Sequence, residues 1–547
     1  MTIFVAKRVG DRESRKPPML VMLRKELRLV AATMLLLWIV PAAAQYARSS
    51  INLPAATTAF EPRFDLDGDK RVDLVAVFQR RVLVFFQKPD GTFPSAPDVE
   101  IGAGDPVPED YAAVSVGRVE DGAEAQLLLI GPKGVDYLTV AQLRGQSSEP
   151  VAPKPLLRRN FSLSSGPALQ FLDVATDMNG DGQPEILLPN SDQLEIYRRD
   201  DSGTFTLASR VTLPVQTLQR TQLRAEPDLL GTFYFEDEQE RTMVRTAPRL
   251  DRWFGVQFGV EDYAEPFLVL DITRDGRLDL LTRSRLYVQD AAGRFEGRPS
   301  GLYDQIATAL VVQKRRLVTA PNLVDFNKDG RLDTFAVQSS AQKMSPRTDI
   351  SVYLGREDLS FAKEPNFVLK TRDLAYSDAV PVGDVNGDGF LDVALINLDF
   401  QASSASSQLK AYLRNGLDGR LCFYLWDNRR GRFPETYSFA HPVTLNYQIY
   451  GTRQLFQQQI YISGDADGDG RMDLILKTGP TEISAFLNQG GIKGFGSRAW
   501  VRLDTAPVRF SGFEVRDLNG DGRADLVVSG YVEGQDDRTL YTFFVSR

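Results

Sequence analysis

Seven copies of a nine-residue pattern rich in carboxylates run through this chain of 547 residues. Each copy has an acidic residue at positions 1, 5 and 9, and Asp, Asn or Thr at position 3. Alternating positions of a tight loop can point their oxygens into one concavity, and Ca²⁺ takes about six to eight oxygen ligands in proteins. The spacing therefore predicts up to seven calcium loops, with one ion in each.

The predicted ligands form five sets, one for each contributing position of the pattern. Position 1 is Asp65, Asp177, Asp271, Asp325, Asp384, Asp465 or Asp517, and position 3 is Asp67, Asn179, Thr273, Asn327, Asn386, Asp467 or Asn519. Position 5 is Asp69, Asp181, Asp275, Asp329, Asp388, Asp469 or Asp521, and position 9 is Asp73, Glu185, Asp279, Asp333, Asp392, Asp473 or Asp525. Position 7 is Arg71, Gln183, Arg277, Arg331, Phe390, Arg471 or Arg523. Such variety at position 7 fits only a backbone carbonyl as the ligand.

The pattern differs from an EF-hand, because its closing acid stands at position 9 rather than 12 and strands flank it. Magnesium suits it less well, because this ion dehydrates reluctantly and rarely uses an all-protein cage. Thr273 makes the Asp271 loop doubtful as a metal site. The alternative reading is a set of Asp-Gly turns without metal, and it is most serious for that loop.

Strand signals surround every copy. Each copy leads into an apolar, β-rich run such as 74–77, and most copies are followed by Gly-x-Phe, as at Gly91-Thr92-Phe93. Units of about 50 to 60 residues with several strands predict an all-β fold, a β-propeller of about eight four-stranded blades. Seven blades are the alternative count, and an open solenoid is the competing architecture.

Two details of the repeat concern the number of blades and the closure of the ring. The long gap between the first two copies holds a degenerate unit at 113–131, which has lost its carboxylates and supplies the eighth blade. The last unit has only about three strands before the chain ends. Residues around 49–53 are therefore predicted to form its missing outer strand, so that an N-terminal strand closes the ring.

The N-terminus has the three parts of a secretory signal peptide. Basic residues at 24–28 precede an apolar run at 29–40 and a small-residue segment that ends at Ala44. We predict a signal peptide at 1–44, with Met19 or Met22 as the true start, and a single propeller domain at 45–547. A membrane anchor is the alternative, although the apolar run is shorter than a bilayer span of about 20 residues. The mature protein is predicted to be secreted, periplasmic or at the cell surface, without a stable membrane span.

The composition excludes several classes of function. One cysteine, Cys422, excludes an intramolecular disulfide framework, and one histidine, His441, excludes poly-His metal sites. The net charge of −8 gives no basic excess for nucleic-acid binding. Because His441 stands in Ala440-His441-Pro442, we predict a surface or turn position for it.

The spacing D-x-[DN]-G-D-G-x-x-D before an apolar strand, with a trailing G-x-F, resembles the FG-GAP or VCBS repeats of integrin α-subunit propellers and of secreted bacterial proteins. The resemblance covers nearly all of the mature chain. It implies calcium ions in hairpin loops on one propeller face, where they stiffen the blades. It also implies a role in adhesion or in protein or glycan binding.

We therefore expect a non-catalytic adhesion or protein- and glycan-binding module with an extracellular or envelope partner. Its ligand surface is predicted in insertions at about 206–262 and 398–458, where the aromatic residues Trp253, Phe254 and Phe258 could stack on sugars or bind protein. Packing of these aromatics onto the ring is an equally open reading. The alternative functions are a structural scaffold of an envelope or secretion assembly and an extracellular polysaccharide lyase or hydrolase.

Overall fold

Eight sheets of mainly antiparallel strands follow one another along the chain and form the eight blades of a β-propeller. This computed structural model describes residues 45–103, 107–145, 152–161, 166–190, 192–217, 254–258, 262–302, 323–340, 347–371, 382–398, 416–450, 453–456, 460–479, 481–506, 509–531 and 537–547. Tyr46–Arg547 is one compact unit. The all-β fold and the count of eight blades are confirmed, whereas the predicted signal peptide at 1–44 lies outside the described residues.

Each of the first four blades is built from strands that are consecutive in the chain. Blade 1 contains β2 (Thr57–Phe64), β3 (Asp73–Phe78), β4 (Arg81–Phe85) and β5 (Val99–Ile101), and blade 2 contains β6 (Ala113–Gly117), β7 (Gln126–Gly131), β8 (Gly134–Leu138), β9 (Lys154–Arg158) and β10 (Gln170–Phe171). In blade 2 the last of these strands, β10, pairs parallel with the first, β6. Blade 3 contains β11 (Ala175–Thr176), β12 (Glu185–Asn190), β13 (Gln193–Arg199) and β14 (Phe205–Thr212). Blade 4 contains β15 (Val215–Thr217), β16 (Phe254–Phe258), β17 (Asp262–Leu270), β18 (Asp279–Thr282), β19 (Arg285–Gln289) and β20 (Phe295–Pro299).

The second half of the ring repeats this arrangement. Blade 5 contains β21 (Leu323–Val324), β22 (Asp333–Ser340), β23 (Arg347–Tyr353) and β24 (Phe367–Lys370), and blade 6 contains β25 (Val382–Gly383), β26 (Asp392–Leu398), β27 (Gly416–Tyr424), β28 (Phe439–Tyr450) and β29 (Arg453–Phe456). Blade 7 contains β30 (Ile460–Gly464), β31 (Asp473–Gly479), β32 (Glu482–Phe486) and β33 (Val501–Asp504). Blade 8 contains β34 (Arg509–Arg516), β35 (Asp525–Tyr531), β36 (Arg538–Ser546) and the N-terminal strand β1 (Tyr46–Pro54).

The side chains that the structure describes in the central strands β3, β7, β12, β18 and β31 are mostly buried, and all six residues of β7 are buried. Such a strand packs on both of its faces, so it appears in the sequence as a continuous apolar run rather than an alternating one. The core lies between neighbouring blades, and one cluster joins Leu74 and Phe85 of blade 1 to Leu518 and Phe543 of blade 8. Among the described residues, the α-helix is the short α1 (Val140–Leu143), and no helix is long and apolar enough to cross a membrane.

The two ends of the chain meet in blade 8. Strand β1 pairs antiparallel with β36 along its whole length, from Tyr46 opposite Ser546 to Pro54 opposite Arg538. Ile51 of β1 is fully buried in the core that blades 1 and 8 share. This pairing confirms the predicted closure of the ring by an N-terminal strand.

The segments predicted as insertions contain regular blade strands. In 206–262, β14 is the outer strand of blade 3, while β15 and β16 pair with β17 of blade 4. In 398–458, β27 and β28 are the third and fourth strands of blade 6, and β29 pairs with the far end of β28. Strand β28 has 12 residues, and this length stretches the repeat spacing in the sequence. Trp253 lies outside the described residues, and Phe254 and Phe258 are the end residues of β16.

His441 is buried in strand β28, so its predicted surface or turn position is wrong. Its ring meets that of Phe486 edge-on at 4.6 Å between centroids, and Phe495 lies nearby. Burial disfavours the charged imidazolium and lowers the pKa of His441 from 6.5 to about 4. The sequence context gave a turn because Pro442 follows, but this proline occupies an exposed position within the strand.

We expect a disulfide between β1 and β36 to lock the ring. The side-chain oxygens of Ser50 and Thr542 lie 3.0 Å apart across the two strands. Ser50→Cys combined with Thr542→Cys should oxidise readily and raise the free energy of unfolding by about 2–5 kcal/mol, since the bond closes a very long loop. Thermal melts with and without reductant measure the gain, and Ser50→Cys alone is the control. Failure of the pair to cross-link would contradict the register of the closing strand.

The pKa of His441 predicts a loss of stability in mild acid. Between pH 6.5 and about 4 the unfolded chain binds a proton that the folded chain refuses, so the stability present above pH 6.5 is lost as the pH falls. The full loss is about 3 kcal/mol. The unfolding free energy of the wild type minus that of His441→Leu should therefore fall by about this amount as the pH falls from 7 to below 4, because other titrating groups cancel. NMR of the single imidazole gives its pKa directly, and a value near 6.5 would refute the prediction.

Candidate functional site

All seven acidic loops occupy the same place in their blades. Each loop joins the first strand of a sheet to the second, or in blade 4 the equivalent strands β17 and β18, and position 9 is in every copy the first residue of the strand that follows the loop. For example, β3 begins at Asp73, β12 at Glu185 and β35 at Asp525. Because the blades share one strand order, the loops lie at equivalent ends of their sheets.

The backbone of each loop turns back on itself at positions 4 and 6. Both positions have positive φ in all seven copies, between 57° and 85°. Glycine adopts this conformation without steric cost, and it fills most of these positions. Lys70, Arg274 and Lys328 adopt it as well, so their loops keep the same path without glycine there.

The carboxylates at positions 1 and 5 bind backbone N–H groups of their own loop. The position 1 carboxylate accepts a hydrogen bond from the N–H of position 6 in every copy, at 2.7–3.1 Å. The position 5 carboxylate accepts one from the N–H of position 7 in every copy, at 2.8–2.9 Å. These bonds gather the acidic side chains inside the turn.

The acid at position 9 is buried in every copy and has a different role. One of its oxygens accepts the N–H of position 2, as from Val385 to Asp392 at 3.0 Å. In all six Asp copies the other oxygen accepts an N–H at the end of the third strand, as from Trp426 to Asp392 at 2.9 Å. In the remaining copy, the Nε atom of Arg198 on the third strand donates a hydrogen bond to Glu185 at 2.7 Å. This carboxylate thus joins the loop, the second strand and the third strand of a blade.

Burial raises the pKa of all seven position 9 acids. The pKa reaches about 7 in Asp73, Asp392 and Asp525 and about 6 in Asp333 and Asp473, and it is also raised in Asp279 and Glu185. Loss of solvation is the largest cause, and the hydrogen bonds that each acid accepts oppose it.

Two loops bring three carboxylates into one small space. Asp65, Asp67 and Asp73 each place one oxygen within 4.8 Å of the others, and Asp465, Asp467 and Asp473 do the same. Three carboxylate oxygens at this spacing fit a hard cation such as Ca²⁺, which takes oxygen ligands. In the four loops with Asn at position 3, its amide instead donates to the position 5 carboxylate, at 2.9–3.2 Å. In the Asp271 loop the Thr273 hydroxyl donates to Asp279 at 3.3 Å.

The arginines at position 7 have a side-chain role that the sequence reasoning missed. The guanidinium groups of Arg71, Arg277 and Arg471 each pair with the position 5 carboxylate of their own loop. Each Nε also donates to a carbonyl beyond the third strand, at 3.1–3.5 Å. We call this combination of an ion pair and a hydrogen bond the arginine clip. Arginine recurs at position 7 in five of the seven copies, and this recurrence is the signal that could have revealed it.

Blade 2 contains an eighth loop of the same length that has no acid at positions 1, 5 and 9. Residues 118–126 connect β6 to β7, with Arg118 at position 1 and Gln126 at position 9. The Gln126 amide oxygen accepts the N–H of Val119 at 2.8 Å, as the position 9 acids do with position 2 of their loops. This loop lies in the degenerate unit at 113–131 that the sequence predicts as the eighth blade, and it keeps apolar residues at positions 2 and 8, Val119 and Ala125.

Neighbouring loops are hydrogen-bonded to one another. The N–H of position 8 donates to a carbonyl at position 1 or 2 of the loop in the preceding blade, at 2.7–2.9 Å: Val72 to Leu518, Leu278 to Met178, Ala524 to Asp465, and in the eighth loop Ala125 to Leu66. Among the described residues, these bonds connect the loops of blades 7, 8, 1 and 2 in one run and those of blades 3 and 4 in another, and we call these connected loops the rim.

Replacement of Asp392 by alanine should destabilise the protein even without calcium. The N–H groups of Val385 and Trp426 would remain buried without their acceptor, at a cost of about 2–5 kcal/mol in the free energy of unfolding. Urea denaturation in EGTA measures the loss. Asp388→Ala in the same loop is the matched control and should cost less than about 1 kcal/mol, since Asp388 is exposed. Equal losses in the two variants would contradict the joining role of position 9.

Comparison with solved structures gives matches of low similarity. A lectin from Agrocybe aegerita that recognises non-reducing terminal N-acetylglucosamine has 13% identity and a TM-score of 0.34, over 81% of this chain and 92% of that one. BBS1N in complex with ARL6DN has 9% identity and a TM-score of 0.29, over 92% and 98%. The Tc holotoxin pore of Photorhabdus luminescens has 13% identity and a TM-score of 0.22, over 90% of this chain and 27% of that one.

No curated protein is significantly similar to the chain in sequence. The family model of the FG-GAP-like repeat matches residues 325–395 and 464–528. These two regions contain the loops that begin at Asp325, Asp384, Asp465 and Asp517. The chain is thus an eight-bladed β-propeller that contains FG-GAP-like repeats in these two regions.

Proposed function

We propose that this protein is a calcium-stabilised, non-catalytic propeller that binds protein or glycan ligands outside the cell or in the cell envelope. The observation that carries the proposal is the convergence of three carboxylates in the Asp65 and Asp465 loops. Such a group repels itself without a counterion, and a divalent cation would relieve the repulsion. The pKa of Asp467 is raised by partial burial and by the neighbouring charges of Asp469 and Asp465, as this repulsion requires.

The ligands proposed in each loop are the oxygens of positions 1, 3, 5 and 9 and the carbonyl of position 7. A bound Ca²⁺ would supply positive charge that holds these oxygens together and stiffens the connection between the first two strands. The residues themselves already set the turn, through the positive φ at positions 4 and 6 and the N–H groups that bind the carboxylates. Up to seven ions are proposed, and the Asp271 loop, with Thr273 at position 3, remains the doubtful one.

The hydrogen bonds of the acids with raised pKa support the non-catalytic part of the proposal. Strongly shifted carboxyl groups often indicate catalytic sites. Here the position 9 acids with the largest shifts each accept two backbone N–H groups inside a blade, which gives them a structural role. The lone histidine is buried against Phe486 and is therefore a poor candidate for a general base.

An extracellular or envelope location is supported by the family, because FG-GAP repeats are typical of extracellular proteins. Propellers hide their sheet edges by repetition around the ring, which leaves loops and outer strands as the surfaces for partners. A ligand surface of this kind fits a role in adhesion or in protein or glycan binding.

Calcium should bind and stabilise the folded protein. In equilibrium dialysis with ⁴⁵Ca²⁺, Asp467→Ala should bind one ion fewer than the wild type, since Asp467 contributes an oxygen to its cluster. Each filled site should add about 2.7 kcal/mol at a calcium concentration of 100 times its Kd, so the melting temperature should rise from EGTA to calcium. The control is Asp121→Ala in the eighth loop, where positions 1, 5 and 9 hold no acid, and this variant should bind as many ions as the wild type. The absence of bound ions together with unchanged melting would refute the proposal.

The ligand itself is sought by screening the protein from residue 45 onward against glycan arrays and envelope proteins, in calcium and again in EGTA. Binding that requires calcium would support a module whose loops must be stiffened to present its surface. Turnover of a polysaccharide in the same assay would overturn the non-catalytic assignment.

A further inference from the structure

The two loops with four acids are chemically matched but differ in one contact from a neighbouring blade. In the first loop, Arg144 of blade 2 places its Nη2 atom 2.6 Å from the Oδ2 atom of Asp67. The Asp67 side chain is only 12% exposed there. In the part of the chain that the structure describes, the corresponding Asp467 has no ion-pair partner, and it accepts a hydrogen bond from the N–H of Asp469 at 3.2 Å.

The backbone and the side chain of Arg144 are each held in position by a contact. It is the C-terminal cap of helix α1, and its N–H donates to the Val140 carbonyl at 2.9 Å. The helix starts with a capping box in which Thr139 and Gln142 bind each other's backbone N–H groups. The guanidinium group lies 3.9 Å from the centre of the Phe86 ring, a cation–π contact that fixes its plane near the first loop.

This guanidinium contacts an acid that the proposed calcium site needs. Asp67 is one of the three acids that converge in the first loop. Its Oδ2 atom lies 2.6 Å from the arginine donor and its Oδ1 atom accepts the N–H of Asp69 at 3.3 Å, so a metal ion must compete with a positive charge for this carboxylate. Arg71 pairs with Asp69 in the same loop, so two of its four acids contact guanidinium groups. In the Asp465 loop only the equivalent pair, Arg471 with Asp469, is found among the described residues.

We propose that Arg144 competes with the cation for Asp67 and thereby couples the occupancy of the first loop to helix α1 of blade 2. The inference rests on the calcium function proposed above. The Asp465 loop fills at low calcium, whereas the first loop fills only when calcium displaces the guanidinium group. Filling of the first loop then releases the C-terminal end of α1, and the protein responds to a second, higher range of calcium.

Arg144→Gln removes the competing charge and leaves the four acids in place. A guanidinium group beside Asp67 repels a divalent cation in the same loop. Because Arg144 is one-third exposed, solvent screens much of this repulsion, and we expect about a tenfold gain in affinity at the first loop. The matched control is Arg199→Gln. Arg199 makes the same kind of contact across blades, 2.5 Å from Asp121, but in the eighth loop, where positions 1, 5 and 9 hold no acid.

Hydrogen–deuterium exchange during a calcium titration at constant ionic strength reads each loop separately. In the wild type, the peptide at 465–473 should become protected at about tenfold lower calcium than the peptide at 65–73. In Arg144→Gln the two should become protected together, and Arg199→Gln should behave as the wild type. The peptide at 139–145 should exchange faster once the first loop fills in the wild type.

Three results would overturn the inference. The first is an unchanged midpoint at 65–73 in Arg144→Gln while 465–473 still responds to calcium, and the second is an equal shift in Arg199→Gln. In both cases the calcium function would stand and only the role of Arg144 would fall. The third is a lack of protection at either loop in any variant, which would refute the calcium function together with the inference.

Discussion

The buried carboxylate at position 9 is the contact on which each acidic blade depends. It starts the second strand, accepts an N–H from the loop that precedes it and, in six of the seven copies, accepts another from the end of the third strand. Burial of an acid is costly, as the raised pKa values show, and the two N–H groups offset part of that cost. One side chain therefore sets the geometry at which the loop leaves and re-enters the sheet.

The eighth loop separates this structural role from the charge. Gln126 accepts the position 2 N–H with a neutral amide, and blade 2 still forms with its strands in register. A buried acid is thus not required to build a blade. The other seven loops nevertheless keep a buried acid, and they also place acids at positions 1 and 5. Acids at positions 1 and 5 thus occur in the same loops that have an acid, rather than Gln, at position 9. This co-occurrence favours cation binding as the reason for these acids.

Much of this structure follows from local sequence patterns. The blade count and the loop positions could be predicted because Gly, Asp and the apolar strand recur at fixed spacing, and the closing strand because the last unit was one strand short. What the sequence reasoning missed depends on contacts between distant segments. His441 is buried because blade 7 contributes Phe486, and Gln126 replaces an acid through hydrogen bonds rather than charge. The clip formed by the arginines at position 7 was overlooked because position 7 was considered only as a backbone ligand.

Through the hydrogen bonds of the rim, a change of shape in one loop can affect the neighbouring blades. A loop that receives an N–H from the next blade cannot change shape without moving that neighbour, and Val72 extends this chain of contacts across the closure to Leu518 of blade 8. Because the β1–β36 pairing closes the same junction from the outer edge, the rim and the sheet reinforce each other there. Stiffening of one loop should therefore restrict its neighbours first and distant blades last. A ring of this kind can stay closed as a whole while single loops, such as the one that Arg144 contacts, respond separately.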